Sequence, residues 1–240
     1  MYKRQKHLFT ESPLALSPRD GSRLLAVANE SGLVVRVGHS SVIRPAQCLI
    51  REQIAVLGGS VHDHAVVQPS DDARRGRRPG FDQRISGHPA VYAVILGLQV
   101  IYARGPIMEV SAGTWMEPEG DVFDRCAVHV TLRFEDRGLA TISYRRGFSG
   151  QAQAGRNVLC RNGSITYADG AGHITVTASG ESRDVPVPEA DPWREELDEF
   201  VESIGTGRPM TISATEAMRV VSIFDAVRRH SNGYRVMSSL

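Results

Sequence analysis

Apolar residues recur along the chain at two spacings, three to four residues in some stretches and two in others, and the changes between them mark out the elements. Lys6 to Thr10 is a short apolar-leaning run. Ser17, Pro18 and Asp20 then form a helix start. They supply a capping hydroxyl, a proline at the first helical position and a carboxylate where unpaired backbone N–H groups favour negative charge. Leu24, Leu25 and Ala28 make the stripe of that helix, and Gly32 its left-handed stop. Leu33 to Val37 is almost wholly apolar, as in a parallel strand covered on both faces. Residues 1–47 thus predict a single βαβ unit.

Cys48 to Leu57 reads as a helix, Gly58–Gly59 as a break and Val61 to Val67 as a strand. Pro69 to Pro79, with Arg74, Arg75, Arg77 and Arg78, reads as a solvated loop rather than a phosphate-binding patch. Ala90 to Ala103 reads as a buried helix, with a strand as the alternative that periodicity alone leaves open in an all-apolar run.

Beyond it the period falls to two. Cys126, Val128, Val130, Leu132 and Phe134 alternate with polar or small residues, and after a Glu-Asp-Arg-Gly turn so do Ala140, Ile142 and Tyr144. Strands follow at Asn157–Cys160, Ser164–Tyr167 and His173–Ala178, with Asn162–Gly163 as a hairpin signal. The pattern predicts an antiparallel sheet with one packed and one wet face. The end is helical. Asp191 and Pro192 start a helix with the stripe Trp193, Leu197, Phe200, Val201 and Ile204, stopped by Gly205 and Gly207. Ser213 and Glu216 form a capping box for a last helix that buries Ala217, Val220, Val221, Phe224 and Val227 and stops at Gly233. The fold class is α/β (α+β).

Composition excludes more than it identifies. The formal net charge of +1 over 240 residues gives no reason to expect nucleic acid or a membrane surface as partner. Ala90 to Ala103 is too short to span a bilayer. Met1 to His7 is basic but no apolar core follows, so it does not read as a secretory segment. Cys48, Cys126 and Cys160 have neither metal nor redox spacing, which implies a reducing, cytoplasmic setting.

Lys6-His7-Leu8-Phe9-Thr10-Glu11-Ser12-Pro13-Leu14-Ala15 resembles a signature of the glucose–fructose oxidoreductase, inositol dehydrogenase and MocA family (Gfo/Idh/MocA), whose members read Gly-Lys-His-Val-x-x-Glu-Lys-Pro-Leu-Ala. Val37-Gly38-His39-Ser40 is similar to the family's Val-Gly-His-Asn, and Arg44-Pro45-Ala46 continues the likeness. Glu109 to Ala112, the alternating strands and Gly205 to Pro209 resemble its second domain. The resemblance implies the C-terminal part of a dinucleotide-binding domain over residues 1–47. It further implies an α/β domain on a large, mostly antiparallel sheet over residues 48–240. Nothing before Glu11 could hold the Gly-rich turn that receives a pyrophosphate. No cofactor is therefore expected, NAD or NADP entering only if an N-terminal half is missing from this sequence.

The resemblance also places the chemistry. The family's Glu-Lys-Pro lysine polarises the reacting oxygen, and this chain has Ser12 there, between Glu11 and Pro13. The family's Asp-x-x-x-His pair falls on Ile95 and Gln99 in one register and on Val91 and Ile95 in the other. The pocket expected from these positions comprises Glu11, Ser12, Pro13, His39, Arg44, His88, Tyr92, Ile95 and Gln99. His39 and His88 read as structural or capping histidines before catalytic ones. Trp115 and Trp193 read as core. His62 and His64 share a strand face but show no third metal ligand nearby, so no metal is expected.

These readings predict a non-redox scaffold or accessory subunit. It would form a homodimer or a complex with a full-length family oxidoreductase, covering the open flank of the parallel pair or the sheet face through which relatives dimerise. A cofactor-independent lyase, isomerase or cyclase acting on a small carbohydrate-like metabolite is one alternative. A fragment of an NAD(P)-dependent dehydrogenase is the other.

Overall fold

The computed structural model describes residues 6–68, 90–119, 122–148 and 152–230. His88, the arginine-rich 69–79 segment and Gly233 lie outside them. β1 (Leu8–Glu11) and β2 (Val35–Gly38) pair in parallel, with α1 (Pro18–Glu30) as the crossover. The helix start forms as its residues dictate. Ser17 Oγ accepts from the Asp20 N–H at 3.2 Å and donates to the Asp20 carboxylate at 2.7 Å. Gly32 takes φ 62°, a conformation that costs a Cβ-bearing residue free energy.

α2 (Ser40–Ile43) and α3 (Pro45–Val56) follow β2. The helix expected from Cys48 thus begins at Pro45, whose fixed φ suits a first helical position. β3 (Ser60–Gln68) enters the large sheet, and α4 (Ala90–Leu96) and α5 (Leu98–Ile101) divide the apolar run at Gly97. A Cβ on Gly97 would lie 2.4 Å from Ile142 Cδ1, so the glycine is what lets this helix pair approach the sheet.

The remaining strands are β4 (Ile107–Glu119), β5 (Val122–Phe134), β6 (Leu139–Arg146), β7 (Gln153–Cys160), β8 (Gly163–Ala168), β9 (His173–Ala178) and β10 (Glu181–Pro186). Their order is β10-β9-β8-β7-β3-β6-β5-β4, antiparallel at every step except β3–β6. The period-two residues of β5 and β6 face the core as expected, with Val130, Leu132, Phe134, Ala140 and Ile142 fully buried. α4, α5 and α7 (Ala214–His230) cover that half of the sheet, while α3 covers β8 and β9. The capping box closes α7: the Ser213 N–H donates to Glu216 Oε2 at 2.8 Å and the Glu216 N–H to Ser213 Oγ at 3.1 Å. Val35 and Val37 share a smaller core with Ala217 and Val221 of α7.

Three readings need correction. β4 and β10 are strands that the alternation did not reveal. A register shift between Ile107 and Glu109 breaks the period of β4, and β10 is a polar edge strand. In α6 (Pro192–Thr206) the apolar stripe is not the buried face. Glu196, Phe200 and Ser203 are buried, while Trp193, Leu197, Val201 and Ile204 are exposed. Finally, Trp115 is half exposed and belongs to no core.

Candidate functional site

A cleft of about 230 Å³ opens where α2, α3 and α5 meet β3, β7 and β8. Arg156 sits behind it, fully buried in a core-facing position of β7. Its guanidinium donates to both Asp63 oxygens at 2.9 and 2.5 Å and to Gln47 Oε1 at 2.6 Å. This bidentate pair uses the positive charge inside the fold. Nearer the mouth, Arg44 lies 3.8 Å from Asp169, both side chains half exposed. The Tyr167 hydroxyl donates to Asp169 Oδ1 at 2.9 Å. Burial, followed by the Asp169 carboxylate, pushes Tyr167 up to about 12, so the phenol keeps its proton.

Two further groups on the lining are unmatched. Ser41 Oγ and Gln99 Oε1 are shut off from solvent without a hydrogen-bond partner. A buried polar atom left unpaired costs about 1–3 kcal/mol. The cleft is therefore lined by Ser41 and Gln99, whose side-chain oxygens lack partners, by a balanced Arg–Asp pair, and by Val66 and Val67 as apolar wall. Its described lining includes no histidine, cysteine or lysine.

Of the residues expected in one pocket, the structure brings Arg44 and Gln99 to this cleft. His39 is only 1% exposed. Its Nδ1 meets the Val37 carbonyl at 2.7 Å, Nε2 meets the Tyr102 hydroxyl at 3.3 Å, and its backbone N–H donates to Glu196 Oε1. Burial lowers it to about 4, the Val37 carbonyl opposing and Arg36 adding to the shift. Both of its ring nitrogens thus have partners within the fold. Glu11, Ser12 and Pro13 stand at the end of β1. The Glu11 carboxylate lies over Gly38, the Ser12–Pro13 bond is cis, and Ser12 Oγ is buried without a partner. Tyr92 and Ile95 pack against the main core instead of the cleft. His62 and His64 converge on Thr141 Oγ1, and no group of three candidate ligands for a metal occurs among the described residues.

Ser41, Gln47, Asp63, Arg156, Tyr167 and Asp169 were not singled out by the sequence reading as cleft residues. A signal existed for two of them. Asp63 alternates with Ala65, and Arg156 with Val158 and Cys160, so each charge falls in the buried register of its strand and requires a partner.

No family model matches the chain, and no curated protein matches its sequence. Solved structures do match. Biliverdin reductase from Synechocystis sp. PCC 6803, in complex with biliverdin and NADP+, superposes with a TM-score of 0.85 at 18% identity, over 95% of this chain and 72% of that one. Levoglucosan dehydrogenase in complex with NADH gives 0.83 at 16%, over 98% and 74%. UDP-N-acetylglucosamine 3-dehydrogenase from Acidithiobacillus ferrooxidans gives 0.75 at 16%, over 94% and 70%. The chain shares the fold of these three structures over 94–98% of its length.

Two of these structures contain a dinucleotide, NADP+ in one and NADH in the other. A pyrophosphate needs free backbone N–H groups at the N-terminus of the helix that follows a parallel strand. α1 is the helix that follows β1, and Ser17 with the Asp20 carboxylate already holds its N-terminus. A second anion at that helix end would meet like charge. No helix of the described residues is long and apolar enough to cross a membrane.

Proposed function

We propose that this chain is a non-redox protein of the Gfo/Idh/MocA-type fold that binds a small carbohydrate-like metabolite in the cleft and serves as an accessory subunit. The observation that carries the reading is the pair of unpartnered atoms, Ser41 Oγ and Gln99 Oε1, on the lining of the cleft. A polyhydroxylated ligand offers donors and acceptors to both, and Arg44 and Asp169 can take two further hydroxyls. The residue types support binding over hydride chemistry. Ser12 stands where the family resemblance implies lysine, and Ile95 with Gln99, or Val91 with Ile95, where it implies aspartate and histidine, and none of these can act as a general acid or base near neutral pH.

Two features support a subunit role. Among the described residues β1 pairs with β2 alone, and α6 exposes four large apolar side chains. A second copy or a full-length oxidoreductase of this fold would cover both. The unpaired Cys48, Cys126 and Cys160 support a reducing, cytoplasmic setting.

Thermal-shift and calorimetric titrations with monosaccharides, polyols, NADH and NADPH test the reading. The expected result is stabilisation by a sugar or polyol that is lost in Gln99→Leu, with no saturable response to either dinucleotide. Dinucleotide binding below roughly 1 mM, corresponding to about −4 kcal/mol, would overturn it.

A further inference from the structure

The outward face of the large sheet holds a second cavity, of about 470 Å³, that the proposed function does not use. Its shape follows from register. Trp115 on β4, Ala127 on β5 and Arg145 on β6 stand in one cross-strand row. In the next row Gly113 faces His129, which faces Ser143. The two smallest side chains thus sit on neighbouring strands beneath larger ones, and the sheet surface sinks between the indole and the guanidinium. Two strand spacings separate these, about 10 Å.

The walls have distinct chemistry. Trp115 is 50% exposed and is held from behind by Phe148, with ring centroids 5.7 Å apart. His129 Nδ1 lies 3.1 Å from Ser143 Oγ, and His64 Nδ1 meets Thr141 Oγ1. Burial lowers both imidazoles from their ordinary value, His64 further through its neighbours His62 and His129, so both are neutral at pH 7. Arg145 is exposed, and its guanidinium makes no ion pair with a described residue. The cavity therefore combines a flat apolar plane, hydroxyl and imidazole groups, and a positive charge whose hydrogen-bonding capacity is unspent.

We propose that this cavity binds a small planar aromatic carboxylate, its ring stacked on Trp115 over Ala127 and its carboxylate on Arg145. The ring matches the indole face, on which it stacks in addition to burying apolar area. A carboxylate accepts two parallel N–H bonds from a guanidinium fork, which a lone hydroxyl cannot do.

The test uses the full chain carrying Trp193→Phe, so that Trp115 is the remaining indole. 4-Hydroxybenzoate is titrated against tryptophan fluorescence, with 4-hydroxybenzyl alcohol as the uncharged analogue. Saturable quenching by the acid is expected, with the alcohol at least about tenfold weaker. Arg145→Gln weakens the acid to the level of the alcohol. Ala127→Leu fills the floor and abolishes binding of both, with the circular dichroism spectrum and thermal midpoint unchanged. Equal binding of acid and alcohol overturns the proposal, as does unaltered binding in either variant. Failure to saturate does the same, and none of these results bears on sugar binding in the cleft.

Discussion

Asp63 on β3 and Arg156 on β7 are diagonal neighbours across the sheet, both essentially excluded from water and joined by two hydrogen bonds. Breaking such a pair leaves one buried charge unmatched, which costs about 3–5 kcal/mol. Asp63→Asn is expected to lower unfolding stability by that amount in urea titration, because the isosteric amide keeps the shape but leaves Arg156 charged. The double change of Asp63→Leu with Arg156→Met removes both charges and is expected to recover most of the loss. A double variant no more stable than Asp63→Asn would show that the pair is stabilising in itself rather than costly only when broken.

His39 makes stability depend on pH. Its folded value lies near 4, mainly through burial, against an ordinary value of 6.5. Between these values the unfolded chain binds the extra proton and the folded chain does not, so stability rises with pH across the window. The contribution is full above about pH 6.5 and is lost as pH falls toward 4; the shift corresponds to about 3 kcal/mol at most. His64 and His129 are lowered as well and act with the same sign. His39→Gln is expected to flatten the pH dependence of the denaturation midpoint between pH 4 and 6.5. An unchanged slope would assign the acid sensitivity to other groups.

The capping box of α7 gives a local prediction. Ser213 Oγ accepts from the Glu216 N–H and donates to Glu216 Oε2, and these bonds satisfy a helix end that would otherwise be open. Ser213→Ala is expected to cost about 1 kcal/mol by chemical denaturation, and Ser213→Asp much less. Equal losses in the two variants would point to packing around Ser213 instead of capping.

Local rules were legible wherever residue chemistry decides backbone geometry. The Ser17–Asp20 start, Gly32, the Asn162–Gly163 hairpin and the period-two core of β5 and β6 all follow from the residues themselves. Relationships between distant segments were less so. Nothing in the chain announces that β3 inserts between β7 and β6, because strand order depends on which edges meet after collapse. Of the cleft, Arg44 and Gln99 were accessible through the family resemblance, whereas Tyr167 and Asp169 belong to β8 and the turn after it and join the cleft by topology alone. Sequence periodicity identified the apolar stripe of α6 but could not say that the buried Arg36 would draw Glu196 inward and turn that stripe out.

That outward stripe yields the remaining prediction. Arg36 and Glu196 are both fully buried and 3.1 Å apart, and Phe200 packs edge-on against Phe9 of β1 at 5.5 Å. With these contacts fixing the inward face, Trp193, Leu197, Val201 and Ile204 point away from the core, exposed by 53, 49, 60 and 38%. Their removal costs the isolated fold little, since exposed positions change stability within about 0.5 kcal/mol. An interface would feel it strongly, because desolvated aromatic anchors dominate binding energy. Leu197→Lys combined with Val201→Glu is therefore expected to leave the denaturation midpoint of the isolated chain unchanged while native mass spectrometry shifts the protein from a larger assembly to monomer. A monomeric wild type, or an assembly that survives the two charges, would remove α6 as the docking surface and with it the main support for an accessory-subunit role.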